Sequence, residues 1–186
     1  TKPGATVLDI GTGSGLISMM AARAGAESIT AVEMVPELAE VARIIIADNN
    51  FSDVITVHEK RSTALVVGEE LKEKADMVVS EILDAGLLGE GVIPSLRHAW
   101  SNLLKEDAVC IPKSADVYAT IIQCDDAYQI NNIGKIQGFD LSAFNRFKEK
   151  RSYVVNQMEN IQSVNLSAPF PVLSVNFYNL PDPATP

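Results

Sequence analysis

The chain has 186 residues, of which 47% are hydrophobic and 21% charged. These proportions are typical of a globular protein with a buried core and exclude a disordered chain. Its 24 acidic residues outnumber the 15 basic ones, giving a formal net charge of −9. Such a surface argues against binding to DNA or to an anionic membrane, because both need basic side chains that neutralise phosphate. We expect a small-molecule site or a cationic ligand instead.

Cys110 and Cys124 are the two cysteines of the chain. Neither belongs to a CxxC motif or has a histidine pair nearby, so a disulfide framework and a structural zinc site are not expected. No metal site is predicted. The apolar runs are shorter than the roughly 18 residues of a membrane span, and residues 1–5 do not resemble a signal peptide. We expect an intracellular protein, located in the cytoplasm, the nucleus or both.

Strand and helix patterns alternate over the first two-thirds of the chain. Strands are predicted at residues 6–10, 28–32, 55–58, 76–79 and 108–111. Helices are predicted at residues 16–24, 36–49 and 93–104, the second with Leu38, Val41, Ala42 and Ile45 on one face. Apolar strands that alternate with amphipathic helices are typical of a parallel sheet covered on both faces. The predicted fold class is therefore α/β, a doubly wound, mostly parallel Rossmann-like sheet.

The pattern changes after Pro112, where a second, β-rich unit is predicted to begin. Residues 116–124 and 170–178 have strand composition, whereas the intervening region is polar and carries scattered aromatic residues. We divide the chain into domains 1–112 and 113–186, the second being incomplete. The aromatic residues at about 125–162 suggest an arm that docks on a second subunit or module; the alternative is a mobile loop.

The first candidate site is the glycine-rich turn at residues 11–15. In an open parallel sheet this turn lies at the carboxyl ends of the strands, where ligands bind. Gly11 and Gly13 let a ligand pack on the backbone, and the helix N-terminus offers free N–H groups. The spacing is GxGxG, and Asp9 would repel a pyrophosphate but suits a ligand with an amine and a sulfonium. Glu33 ends the second strand, where a carboxylate can accept hydrogen bonds from ribose hydroxyls.

These residues together predict a site for S-adenosylmethionine. Two alternatives remain open at this point. The glycines could form a tight turn without a ligand, and Glu33 could be a solvated acid near a helix start.

Glu81 and Glu90 form the second candidate site. In a straight helix they would lie about 13 Å apart on opposite faces, and in a straight strand roughly 30 Å apart. They meet only if the segment doubles back, which Gly86, Gly89 and Gly91 permit. Two converging carboxylates match the guanidinium of arginine, which they can orient toward a methyl donor. The alternative is a pair of solvated loop charges.

The sequence resembles the protein arginine N-methyltransferases. The resemblance is carried by residues 7–15, 31–33, 80–90, 111–118 and 138–142, and it covers most of the chain from residue 6 to residue 142. The double-glutamate loop is its specific part, since many methyltransferases share the glycine motif. The loop is most similar to that of the divergent members numbered seven and nine, which carry two modules in one chain, and residues 95–100 favour the ninth.

The resemblance implies roles for the candidate residues. Glu81 and Glu90 would clamp the substrate guanidinium, and Glu33 would hold the ribose. Ser62 and Thr63 would lie near the adenine, unless they form only a polar turn. S-adenosylmethionine would donate the methyl group, leaving S-adenosylhomocysteine, and the acceptor would be an arginine in a protein. The family also implies a homodimer, or an intramolecular pseudo-dimer with a second module.

The sequence also departs from the family pattern. Leu83, Asp84 and Ala85 stand where the asymmetrically dimethylating members have Met-Gly-Tyr. Asp84 adds a third acid, so we expect monomethyl or symmetric dimethyl arginine as product; the alternative is a solvated loop aspartate. The family's N-terminal aromatic helix and late Thr-His-Trp loop are not in the sequence, so this segment alone is expected to be inactive or weakened. Other hypotheses are a small-molecule methyltransferase and a non-catalytic module.

Overall fold

The structure is a computed structural model that describes residues 3–125, 132–147 and 161–181. The chain forms two compact units. The first comprises Thr1–Asp116 together with Ser174–Pro186, and the second comprises Val117–Leu173.

A five-stranded sheet forms the centre of the first unit. Its strands are β1 (Thr6–Ile10), β2 (Ser28–Glu33), β3 (Ile55–Glu59), β4 (Ala75–Ser80) and β5 (Leu104–Ile111). The helices between them are α1 (Leu16–Arg23), α2 (Pro36–Asp48) and α3 (Val92–His98). Each strand is parallel to its neighbours, in the order β3-β2-β1-β4-β5. The α/β, doubly wound fold predicted from the sequence is confirmed.

The strand order positions the functional site. β1 has β2 on one side and β4 on the other, so the chain leaves the sheet centre first in one direction and then in the other. At such a switch point the loops after the two central strands diverge and leave a crevice at the carboxyl ends of the strands. The glycine turn follows β1 and the double-glutamate loop follows β4, so both border this crevice.

Helix α2 packs on the sheet with a different face from the one predicted. Its buried residues are Ala39, Ala42 and Ile46, whereas Leu38 and Val41 are each 46% exposed. Alanine side chains allow the helix to approach the sheet closely. The Ile46 side chain packs against the glycine turn at Gly15. A Cβ on Gly15 would lie only 2.9 Å from the Ile46 Cδ1 atom, so this close packing requires a glycine.

The third helix is shorter than predicted. It ends at His98, a π-helix over Ala99–Leu103 follows, and β5 begins directly at Leu104 rather than at residue 108. The wider turn of a π-helix keeps Ala99 and Leu103 on the buried side.

Residues 177–181, which we term the C-terminal strap, pack against this region. Phe177 is fully buried, and its carbonyl accepts a hydrogen bond of 2.8 Å from the Trp100 indole. The Tyr178 hydroxyl accepts a bond of 2.7 Å from the Cys110 N–H, and Arg97 donates to the Pro181 carbonyl at 2.7 Å. The strap therefore ties α3, the π-helix and β5 together.

The remaining named strands form two-stranded sheets. The additional strands are β6 (Ser114–Ala119), β7 (Ile122–Gln123), β8 (Lys135–Ile136), β9 (Phe139–Asp140), β10 (Val164–Asn165) and β11 (Phe170–Asn176). β6 pairs with β11, β7 with β10 and β8 with β9, and the β7–β10 and β8–β9 pairs are antiparallel. The single strand predicted over 116–124 is thus interrupted after Ala119. A 3₁₀-helix spans Ser142–Phe147.

Part of the arm predicted at about 125–162 lies outside the described residues, including Tyr128 and Tyr153. Among the residues that the structure describes, no helix has the length and apolarity needed to cross a membrane. Within the same ranges, no group of three or more histidine, cysteine or acidic side chains is placed to hold a metal ion.

Candidate active site at the switch point

A cavity of about 670 Å³ lies at the carboxyl ends of the strands. This volume is typical of small-molecule and cofactor sites. Its lining comes from the segments that follow β1, β2, β3 and β4 and from the start of α3: Ile10, Gly11, Val32, Glu33, Met34, Val35, Leu38, Lys60, Arg61, Ser62, Thr63, Glu81, Ile82, Gly89, Glu90, Gly91, Pro94 and Ser95. The structure thus brings Gly11, Glu33, Ser62, Thr63, Glu81 and Glu90 to one cavity. Asp9 and Gly13 are not in its lining.

The glycine turn is held against the end of β2. The N–H groups of Gly11 and Thr12 both donate to the Val32 carbonyl, at 2.9 and 3.0 Å. Gly11 has a φ of +75°, and a Cβ there would lie 2.5 Å from the Ile82 Cγ2 atom, next to Glu81. Gly13 has a φ of +53°, and a Cβ there would meet no atom within 4 Å. Gly11 therefore permits close packing of two loops, whereas Gly13 faces open space.

Asp9 is fully buried behind the turn. Its Oδ2 atom accepts hydrogen bonds from the Thr12 hydroxyl at 2.7 Å and the Ser18 hydroxyl at 2.6 Å. Its Oδ1 atom has no hydrogen-bond partner among the residues that the structure describes. Burial raises the pKa of Asp9, although the bonds from Ser18 and Thr12 oppose that shift. Asp9 thus fastens the turn to α1, and its predicted contact with a ligand stays a prediction.

Glu33 joins the end of β2 to the glycine turn. It is 7% exposed, and its Oε2 atom accepts a hydrogen bond of 3.1 Å from the Gly13 N–H. Its Oε1 atom accepts another, of 3.0 Å, from the Val35 N–H. A carboxylate has about four lone-pair sites, so two remain for the hydroxyl groups of a ligand.

Ser62 and Thr63 follow β3 and begin a short 3₁₀-helix over Ser62–Ala64. Ser62 is 7% exposed and Thr63 is exposed, and both line the cavity. β3 neighbours β2 in the sheet, so the segment that carries Ser62 and Thr63 follows a strand adjacent to the one that Glu33 ends.

Glu81 and Glu90 lie at the two ends of the loop between β4 and α3, and both line the cavity. Glu81 comes directly after β4, where the Ser80 hydroxyl donates to the Ile10 carbonyl at 2.9 Å and fixes the strand end beside the glycine turn. Glu90 precedes Gly91, the N-cap residue of α3, whose φ is +81°. Both side chains are exposed, and neither has a hydrogen-bond or ion-pair partner among the described residues. The two free carboxylates thus border one cavity.

Asp84 does not line this cavity. Its Oδ1 atom accepts a hydrogen bond of 2.8 Å from the Gly89 N–H, inside the loop. The additional acid predicted from the sequence therefore has a partner within the backbone of the loop itself.

Several lining residues were not singled out from the sequence. Met34, Val35 and Leu38 form an apolar wall, with exposures of 56%, 38% and 46%. The sequence feature that could have predicted this wall is the apolar pair Met34-Val35, which stands between Glu33 and the helix-initiating Pro36 at the ligand-binding edge of the sheet. Lys60 and Arg61 also line the cavity, and Lys60 pairs with Glu70.

The glycine turn after β1, the acid that ends β2 and the cavity at the switch point define the class of Rossmann-like methyltransferases. Residues 1–113 match the family model described as ribosomal protein L11 methyltransferase (PrmA). The chain is 49% identical over 142 residues to an arginine N(omega)-methyltransferase of Streptomyces achromogenes subsp. streptozoticus. It is 46% identical over 134 residues to protein arginine N-methyltransferase 7 of Drosophila melanogaster.

A solved structure shows the same relationship. The chain superposes with a TM-score of 0.81 and 27% identity on a chain of the Trypanosoma brucei PRMT1 enzyme-prozyme heterotetrameric complex with AdoHcy, over 97% of its own length. The chain therefore belongs to the methyltransferase family of that model, and over most of its length it is similar to arginine N-methyltransferases.

The chain spans only part of these proteins. The match to the Streptomyces protein includes 76% of this chain but only 39% of that protein. The match to the Drosophila protein includes 19% of that protein. It covers 55% of the Trypanosoma chain.

Proposed function

We propose that the protein transfers a methyl group from S-adenosylmethionine to the guanidinium of an arginine residue in a protein substrate. The observation that carries the proposal is the pair of carboxylates, Glu81 and Glu90, which are unpartnered among the described residues and border one cavity with the glycine turn. The family relatives support both the donor and the acceptor.

The cavity residues fit S-adenosylmethionine. Glu33 lines the cavity and has lone pairs left for ribose hydroxyls. The apolar wall of Met34, Val35 and Leu38 offers a surface for a flat adenine ring, near the hydroxyl groups that follow β3. When bound, this cofactor supplies an electrophilic methyl group on a sulfonium.

Glu81 and Glu90 would hold the acceptor. Carboxylates form strong, charge-assisted hydrogen bonds with a guanidinium, whose planar fork matches their geometry. Two of them fix the orientation of the plane and draw the positive charge toward the nitrogens that they contact. The remaining nitrogen is thereby directed at the methyl donor, so that positioning supplies much of the rate enhancement.

In this proposal the two glutamates contact only the guanidinium group and no other part of the substrate. Free arginine carries the same group and is therefore a second candidate acceptor. A specific observation favours considering it: the Streptomyces relative is named an arginine N(omega)-methyltransferase, whereas the Drosophila relative is named a protein arginine methyltransferase. Methylation rates on free arginine, on an arginine-containing peptide and on ribosomal protein L11, compared at equal concentration, separate these acceptors.

The clamp is tested with Glu81→Gln and Glu90→Gln in the natural full-length protein. Each should lower methyl transfer to an arginine peptide by about 100-fold or more, because a charged partner of the acceptor is lost. The affinity for S-adenosylhomocysteine, measured by isothermal titration, should change little. Glu40→Gln is the matched control, since Glu40 is exposed on α2 and outside the cavity.

Two results would contradict the proposal. Full activity of both glutamine variants would exclude the clamp. Absence of S-adenosylhomocysteine binding to the unaltered protein would instead favour a non-catalytic module.

We also propose that the protein forms a dimer or an intramolecular pseudo-dimer. Support comes from the second unit, where Phe139, Phe144 and Phe147 are 73%, 57% and 84% exposed. Phe139 lies on β9 and the other two on the 3₁₀-helix that follows it, and large exposed apolar side chains close together are typical of docking surfaces. Light scattering of the full-length protein, with and without Phe139→Ser, tests this proposal. A monomer in both samples would leave only the intramolecular form.

Two finer points remain proposals. The replacement of Met-Gly-Tyr by Leu83, Asp84 and Ala85 favours a monomethyl or symmetric dimethyl product, which mass spectrometry of a methylated peptide would distinguish. A cytoplasmic or nuclear location is favoured by the low cysteine content of the sequence, two in 186 residues, and microscopy of a fluorescent fusion tests it.

A further inference from the structure

The double-glutamate loop is closed by one side chain. The Asp84 Oδ1 atom accepts a hydrogen bond of 2.8 Å from the Gly89 N–H, five residues further on. The Leu87 N–H donates to the Asp84 carbonyl at 2.8 Å, so Asp84 bonds the returning chain with both its backbone and its side chain. Gly89 immediately precedes Glu90, and the bond therefore fixes the backbone that carries the second glutamate.

The Asp84 carboxylate occupies the space that a side chain on Gly89 would need. A Cβ on Gly89 would lie 2.8 Å from the Asp84 Cγ atom, closer than real Cβ atoms approach. Leu87 is 3% exposed and has a φ of +73°, a backbone conformation that costs a leucine energy and persists only when its surroundings enforce it. The loop is thus anchored by Leu87 and closed by Asp84, although its sequence contains two glycines between the glutamates.

We infer that Asp84 is a positioning residue: its carboxylate acts as a latch on the Gly89 N–H that holds Glu90 beside Glu81. Asp84 lies outside the cavity lining, so it acts on the geometry of the two glutamates and not on the acceptor. The inference rests on the proposed function, because it assigns Asp84 to the guanidinium clamp.

Two substitutions of Asp84 separate the effect of its hydrogen bond from the effect of its charge. An asparagine keeps an Oδ1 acceptor for the Gly89 N–H but has no charge, whereas an alanine loses both. Asp84→Ala in the natural full-length protein should lower kcat on an arginine peptide by about 10- to 100-fold, because misplaced catalytic groups cost rates of this order. Asp84→Asn should stay within about threefold of the unaltered protein. S-adenosylhomocysteine affinity should be unchanged in both.

Hydrogen exchange of the Gly89 amide provides a readout that does not depend on activity. It should be faster in Asp84→Ala than in the unaltered protein, and unchanged in Asp84→Asn. Gly89→Ala should lower kcat as Asp84→Ala does, and the double variant should be no worse than either single variant, since both disrupt the same bond.

The outcomes separate the latch from its alternatives. If Asp84→Asn loses as much activity as Asp84→Ala, with a raised KM for the peptide, the charge of Asp84 matters and the latch is overturned. Unchanged exchange in Asp84→Ala also overturns it. If the unaltered protein methylates no arginine acceptor while the exchange pattern is as expected, the proposed function fails and the latch geometry is retained.

Discussion

Replacement of Gly11 by alanine should separate two reasons for which a glycine can be required. Gly11 has a φ of +75°, and a Cβ there would lie 2.5 Å from the Ile82 Cγ2 atom. Gly13, two residues along the same turn, also has a positive φ, +53°, but a Cβ there would meet nothing within 4 Å. Gly13→Ala is therefore a matched control for backbone strain without a clash.

The expected magnitudes follow from these geometries. A left-handed backbone costs an alanine about 1–2 kcal/mol, and this cost applies to both variants. Gly11→Ala additionally forces Ile82 to move, and such overpacking costs about 1–3 kcal/mol more. Gly11→Ala should thus lower the free energy of unfolding by about 2–5 kcal/mol, and Gly13→Ala by about 1–2 kcal/mol.

Equilibrium urea unfolding of the two variants measures this difference. The second variant needed is Ile82→Ala, which removes the Cγ2 atom. In the Gly11→Ala/Ile82→Ala double variant the clash is relieved, so the two changes should be less damaging together than their sum, by about 1–3 kcal/mol. Equal destabilisation by Gly11→Ala and Gly13→Ala, with no coupling to Ile82, would refute the close packing of the two loops.

Three further outcomes are expected. Burial raises the pKa of Asp9 above its ordinary value of 3.8, so the fold loses stability as pH rises through this raised pKa and the buried acid ionises. Asp9→Asn should remove that part of the pH dependence. Parallel curves of unfolding free energy against pH for the variant and the unaltered protein would contradict this expectation. A hydrogen bond from Lys105 lowers the pKa of Asp76 to about 2, so Asp76 stabilises the fold above pH 3.8 and this contribution is lost as pH falls toward 2. Acid unfolding of Asp76→Asn should lack that loss. Phe177→Ala should cost about 3–5 kcal/mol in thermal unfolding, because Phe177 is fully buried, whereas Met20→Ala, at a 52% exposed position on α1, should stay within about 0.5 kcal/mol.

The central sheet could be predicted because its strands are short apolar runs bounded by polar or glycine residues. β1 begins and ends at the predicted residues, Thr6 and Ile10. The glycine turn and the end of β2 then place Gly11 and Glu33 at one edge of any parallel sheet, so the position of the site follows from the strand pattern and the connectivity.

Features that depend on packing were not predictable in the same way. Two neighbouring faces of α2 carry apolar residues at helical spacing, so the sequence pattern does not decide which of them is buried. The face with Ala39 is buried and not the face with Leu38, because alanine lets the helix approach the sheet closely. Likewise, the sequence shows an acid at Asp9 and at Asp84 but not the direction of either side chain. The structure turns the first toward Ser18 and the second toward Gly89.

The C-terminal strap was also beyond prediction, because its partners are far away in the sequence. Trp100 and Phe177 are 77 residues apart, and nothing local to either indicates the hydrogen bond between them. The composition does predict a change near Pro112. It does not show that Ser174–Pro186 belongs to the first unit.

This strap affects how the protein can be made and cut. During synthesis on the ribosome, the first unit is left with an unfilled hydrophobic gap until Phe177 has emerged, so its last folding step waits for residues 117–173 to be translated. A truncation designed at residue 116 would remove the same side chain and should give an aggregation-prone product. A version that joins Asp116 to Ser174 through a short linker would keep Phe177 in the first unit.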